Sequence, residues 1–170
     1  MYPFDKFKVS KIKESGKKEY LTESELEQLK SAELDLKYEC ISRDMFLLSF
    51  YGRGINFVDL MLLKKIDLHK GTINYRRRKT DVMISFKVNE FWEQKLLEYA
   101  APSDSIYLFN IINNDQTGGN YIENRKQKYL KVYVNTPLKD VLAKLGISKN
   151  ITYYCARHSF ATILKFNNIS

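Results

Sequence analysis

A chain of 170 residues holds one ordinary core and is short for two. Apolar residues make up 44% of it and only 7 Gly and 3 Pro interrupt them, which excludes disordered, fibrous and low-complexity classes. Lys and Arg exceed Asp and Glu by 8 (28 against 20), a balance that suits a polyanion such as nucleic acid, or a protein that is merely basic, so position must decide. The two cysteines, Cys40 and Cys155, lie far apart within apolar patterns and read as small core residues of a reducing compartment. With no signal-peptide pattern at the start and no run long enough to span a bilayer, the expectation is an intracellular protein of the cytoplasm.

Residues 1–20 are rich in lysine and broken by Gly16, the pattern of a basic arm or linker preceding a domain over 21–170. Thr22 and Glu25 have the spacing of a capping box and start a first helix, whose apolar face is Leu26 and Leu29. A second helical pattern runs from about Tyr38 to Tyr51 with Ile41, Met45 and Leu48 as its core stripe, and ends at Gly52. Phe57 to Lys64 reads as a third helix, in which Asp59 is the odd polar residue among core positions and is expected to orient a neighbouring donor.

The period then changes from helical to alternating. Ile73 and Tyr75, then Ile84, Phe86 and Val88, mark two strands of a hairpin whose tip carries Arg76, Arg77, Arg78 and Lys79. Asn89 caps a further helix, and residues 113–120, NNDQTGGN, form the clearest loop. A basic helix follows over Tyr121 to Val134. Thr136 and Pro137 are expected to open a separate helix with Leu138, Val141, Leu142 and Leu145 on its core face. In the last stretch, from Ile151, the residues Ala156, Phe160, Ile163 and Leu164 fall at helical spacing, with Arg157 and His158 near the start.

Three basic features therefore sit beside structural punctuation: Arg53 between two glycines at a helix end, Lys79 at a hairpin tip, and Arg157 with His158 early in the last helix. Singly, Arg53 reads as a charge at a helix C-terminus and the 76–79 run as a solvated turn. Arg157 is harder to place that way, because an arginine inside an apolar helix needs a partner or water. Together they match one chemical need, a phosphoryl centre whose oxygens gain charge as a nucleophile enters and an alcohol leaves. Two arginines clamp the nonbridging oxygens and a lysine protonates the departing one. No Asp, Glu or His cluster stands at metal-ligand spacing, and His69 reads as a surface residue, so neither metal nor cofactor is expected.

The segments YGRGINFVDLMLLKKIDL (51–68), YRRRKT (75–80) and TYYCARHSFATIL (152–164) occur in the order found in the catalytic domain of the tyrosine recombinases, the phage-integrase family, and the chain resembles most the versions in Bacteroides-type mobile elements. The resemblance implies an α+β fold, mainly helical with a small antiparallel β-hairpin or three-stranded sheet, the DNA breaking-rejoining enzyme fold. It implies Arg53 as the first catalytic arginine, Lys79 as general acid and Arg157 as the second arginine. Tyr154 stands where the family most often has a histidine, and His158 follows as a supporting residue. Arg76, Arg77, Arg78 and His158 are expected to face DNA. The implied activity is DNA integration or site-specific recombination through a 3′-phosphotyrosyl intermediate, with double-stranded DNA as partner and self-association on it. The family's nucleophilic tyrosine lies further beyond its second arginine than residue 170, so a truncated, inactive catalytic domain is expected; the alternative is a non-enzymatic DNA-binding module or regulator on the same scaffold. Tyr153 and Tyr154 stand too near Arg157 to serve as nucleophiles for a phosphate it holds.

Overall fold

The computed structural model describes residues 19–115 and 118–167. The expected basic arm, up to residue 18, lies outside the described residues, as do two residues of the 113–120 loop and the last three of the chain.

The capping box forms as the spacing requires. Thr22 Oγ1 accepts from the Glu25 amide at 3.3 Å and Glu25 Oε2 accepts from the Thr22 amide at 2.8 Å, starting helix α1 at Glu23–Lys30. Helix α2, Lys37–Tyr51, is the central element. The expected stripe of Ile41, Met45 and Leu48 is buried, but so are Phe46 and Leu47 on the other side. A helix apolar on both sides has to lie between two layers. Ile41, Met45 and Leu48 meet the sheet, Trp92, Phe109 and Tyr129 in one apolar cluster, while Phe46 and Leu47 meet Leu29, Leu138, Leu142, Ile151 and Ala156 in another.

Helix α3 spans Phe57–Met61 and is shorter than the expected 57–64. Backbone pairing takes over the rest: Lys65 donates to Ile106 O at 2.8 Å and Leu108 donates to Leu63 O at 2.8 Å. Three antiparallel strands follow in the order β1 (Leu68–His69), β2 (Thr72–Arg76) and β3 (Met83–Lys87). The turn between β1 and β2 is Lys70-Gly71, with φ of 48° and 72°, the left-handed pair that a two-residue hairpin needs. Ile73 pairs with Phe86 and Tyr75 with Ile84, so the buried faces of β2 and β3 coincide.

Helix α4, Glu90–Glu98, begins at Asn89, whose side chain accepts from the Trp92 amide. Asp44 of α2, fully buried, joins α2 to α4. It accepts from Lys95 Nζ at 2.7 Å and the Tyr99 hydroxyl at 2.7 Å, and from Arg43 beside it in sequence at 2.9 Å.

The expected break before Thr136 is absent. Helix α5 (Gly119–Tyr129) runs through a π-helical segment (Leu130–Asn135) into helix α6 (Thr136–Lys144) without interruption. Thr136 is itself helical, and Asn135 before it has helical backbone and no side-chain cap bond. Pro137 explains the wide turn in place of a break. Proline has no N–H and crowds the carbonyl four residues back, and a π-turn shifts that ladder without ending the helix. Asn135 then uses its side chain elsewhere, accepting from the Tyr153 amide at 2.9 Å just before the last helix, α7 (Cys155–Phe166). Ser159 of α7 accepts from the Leu21 amide at 2.8 Å and so ties α7 to the start of α1. Both cysteines are free thiols, Cys155 buried and Cys40 partly so. No helix among the described residues is long and apolar enough to cross a membrane.

Candidate phosphate-binding site

The site forms where the end of α2, the start of α7 and the hairpin meet. Gly52 caps α2, and a side chain there would have no room: a Cβ would lie 2.8 Å from Leu48 O and 2.9 Å from the Trp92 ring. The chain then reverses through two left-handed residues, Arg53 at φ 57° and Gly54 at φ 69°. A Cβ on Gly54 would fall 2.7 Å from Arg157 Cγ and 2.9 Å from its Cα and Cβ. The turn carrying Arg53 is thereby laid directly on the residue that carries the second guanidinium.

Hydrogen bonds fix that contact from both sides. Gly54 donates to Ser49 O at 2.8 Å, and the Ser49 hydroxyl donates to Ile55 O at 2.9 Å. The same Ile55 carbonyl accepts the Tyr153 hydroxyl at 3.0 Å. Tyr153 is 4% exposed, and burial holds its phenol well above the usual tyrosine range. Its hydroxyl is thus a strut between the turn and α7. Tyr154, one residue on, is exposed, and its ring meets His158 edge to face at 4.8 Å. It shares a small crevice with Arg157, Gly54 and Tyr153.

Asp59 brings the hairpin in. It is 4% exposed on α3, and its Oδ1 accepts from the Arg78 amide at 3.2 Å, the neighbouring donor the sequence called for. Burial raises its carboxyl above the ordinary value, while the Arg78 amide and the charges of Arg77, Arg78 and Arg157 pull the other way. Four cationic or polar groups from two elements, the hairpin and α7, therefore act on one enclosed acid. Tyr75, buried beside them, has its phenol pushed up to about 12 by burial and by Asp59, against the pull of Arg77 and Arg157.

The arginine run does not behave as a uniform solvated tip. Arg76 points out and pairs with Asp81 at 3.3 Å, and Arg78 and Lys79 are exposed. Arg77 is half-buried and turned to the core side. Alternation carried the signal for this: Ile73 and Tyr75 are the inward residues of β2, and Arg77 is the next on that face. An open cleft of about 470 Å³ runs under the hairpin, with Asp59, Lys64, Tyr75, Arg76 and Arg78 among its lining. The packing thus lays the Arg53–Gly54 turn on Arg157, and Asp59 holds the hairpin turn at the Arg78 amide. Lys79 lies at the exposed tip, one residue beyond the Asp59 contact.

A mostly helical domain with a three-stranded antiparallel sheet, built this way, has the fold of the tyrosine-recombinase catalytic domain. Similar solved structures are the XerH site-specific recombinase bound to its difH substrate in a pre-cleavage complex (21% identity, TM-score 0.58), the same enzyme on a palindromic difH substrate after cleavage (19%, 0.60) and the XerA recombinase (24%, 0.56). They align with 89%, 90% and 90% of this chain and with 44%, 44% and 51% of their own, so the chain spans about half the length of these proteins. At this identity the likeness is one of fold. No family model and no curated protein sequence matches the chain.

Proposed function

We propose that this chain carries the phosphate-binding machinery of a tyrosine site-specific recombinase, an integrase of a mobile element, and that its partner is double-stranded DNA. The observation that carries the reading is the packing of Gly54 on Arg157, which places the Arg53 turn and the α7 arginine at one point. Two guanidiniums there hold the nonbridging oxygens of a phosphodiester and offset the charge that builds on them as the phosphorus is attacked. In the full reaction a tyrosine oxygen bonds to phosphorus, the bond to the 5′ oxygen breaks, and Lys79 supplies the proton that leaves with it. Tyr154 offers a hydroxyl to a phosphate oxygen in the place of an imidazole. Arg76 and Arg78 extend the positive surface along the flanking backbone, and His158 supports Tyr154 from the same helix. The structural neighbours bound to difH DNA support a duplex as the ligand.

Duplex retention measured across a salt series tests this reading. The chain is expected to bind duplex at low salt, with Arg53→Ala and Arg157→Ala each weakening it about tenfold, the scale of a lost charged hydrogen bond. Absence of duplex binding at low ionic strength overturns the proposal. So does equal binding by wild type and both variants.

A further inference from the structure

The hairpin arginines do unequal jobs, and we infer that Arg77 is a third phosphate-contacting guanidinium of the clamp rather than one of the charges spread along flanking DNA. The inference rests on the phosphate-clamp reading and adds a residue to it. Position comes first: Arg77 continues the inward face of β2 after Ile73 and Tyr75, while Arg76 and Arg78 fall on the opposite side. Its backbone is fixed at both ends of the turn, since its amide donates to Val82 O at 2.9 Å and its carbonyl accepts from the Asp81 amide at 2.8 Å.

The protein answers its charge in part, through Tyr75 and the pull of Asp59, but not at every donor. Arg77 Nε is enclosed and has no hydrogen-bond partner among the described residues. Asp59, the acid nearest to hand, spends Oδ1 on the Arg78 amide, and its Oδ2 is likewise enclosed without a partner, so the two groups do not bond each other. Arg77, Arg78 and Arg157 all act on Asp59, and Arg77 and Arg157, the two that are half-buried, act on the buried Tyr75 as well. Three cations sharing one buried acid, two of them half-buried and one with a donor left over, carry more positive charge than that acid answers and are arranged for an arriving anion. A phosphodiester held by Arg157 is that anion, and a planar guanidinium held in place by the strand suits its nonbridging oxygens better than a flexible lysine does. Arg77 thereby stabilises charge on the phosphate directly, whereas Arg76 and Arg78 raise affinity without sensing which phosphate is bound.

Arginine side-chain N–H resonances of the whole chain, followed while inorganic phosphate replaces chloride at constant ionic strength, test this without altering the fold. The signals of Arg77 and Arg157, identified from Arg77→Lys and Arg157→Lys, are expected to move together along one binding curve, with Arg76 and Arg78 unmoved. Arg77→Lys should weaken phosphate about tenfold, and Arg76→Lys should not. A response from Arg157 with none from Arg77 overturns the inference and leaves the clamp standing. Silence from both arginines overturns the clamp reading and the inference with it.

Discussion

Arg53 is held at φ 57°, a region that costs a residue with a Cβ about 1–2 kcal/mol relative to glycine. Nothing in the packing of the turn needs the arginine side chain, which is exposed. On the proposed reading the strain is kept for the sake of binding and not of folding. Arg53→Gly should therefore raise stability by up to about 1 kcal/mol in urea denaturation while weakening duplex binding, two changes of opposite sign. Gly54→Ala should do the reverse of harmless: a methyl 2.7 Å from Arg157 Cγ, at φ 69°, is expected to cost at least about 2 kcal/mol and to displace Arg157, lowering both the unfolding midpoint and duplex affinity. Asp59 offers a test by pH. Burial raises its carboxyl, so the folded chain binds that proton more readily than the unfolded chain, and this group lowers stability as pH rises from its unfolded value near 4 through its folded one. Asp59→Asn keeps an acceptor for the Arg78 amide and removes the charge. Its urea midpoint is expected to match wild type near pH 4 and to exceed it near pH 7.

Among the elements, α2 and α4 are joined through charge in a place where apolar contact would have served. Burial works against the Lys95 ammonium, yet Asp44 and Glu98 outweigh it and hold its pKa above the ordinary lysine value. Burial and the Asp44 carboxylate likewise drive the Tyr99 phenol upward. Asp44→Ala strands Lys95 and the Tyr99 hydroxyl in the interior and is expected to cost about 3–5 kcal/mol, read from chemical denaturation. The loss is largest below the unfolded lysine value, about 10.4, and shrinks as pH rises through the folded one. Helices α5 and α6 show a different lesson. Thr136-Pro137 reads as a helix start in sequence because proline is favoured there, but proline also fits a helix that widens to a π-turn, and burial of Val134, Leu138 and Val141 along one continuous face makes the second outcome the stable one.

At the scale of the molecule, the excess of 8 positive charges becomes useful through its distribution. Arg76, Arg78 and Lys79 stand in solvent on the hairpin, whereas Arg77 and Arg157 are half-buried around Asp59. Each exposed cation that meets a phosphate releases a counterion. Neutralising Arg78 and Lys79 together should thus flatten the dependence of log affinity on log salt by about 1.8, near 0.9 per contact. Binding measured from low to moderate salt checks the slope, and an unchanged slope would place the hairpin tip away from DNA.

The sequence by itself determined the helices with clean caps, the apolar faces of the hairpin strands, and which cations stand beside turns and helix ends. Each of these rests on neighbours a few residues apart: Thr22 with Glu25, Ile73 with Tyr75, Gly52 and Gly54 around Arg53. The inward turn of Arg77 was legible too, in the alternation of β2, although a run of three arginines read as turn conceals it. Tertiary structure decided what distance along the chain hides. That Gly54 is small for the sake of Arg157, that Ile55 O collects hydroxyls from Ser49 and Tyr153, and that Asp59 gathers the hairpin are contacts between residues 6 to 103 positions apart. Local patterns report which face of an element is apolar. Which charged groups share one enclosed volume follows only from how those faces pack.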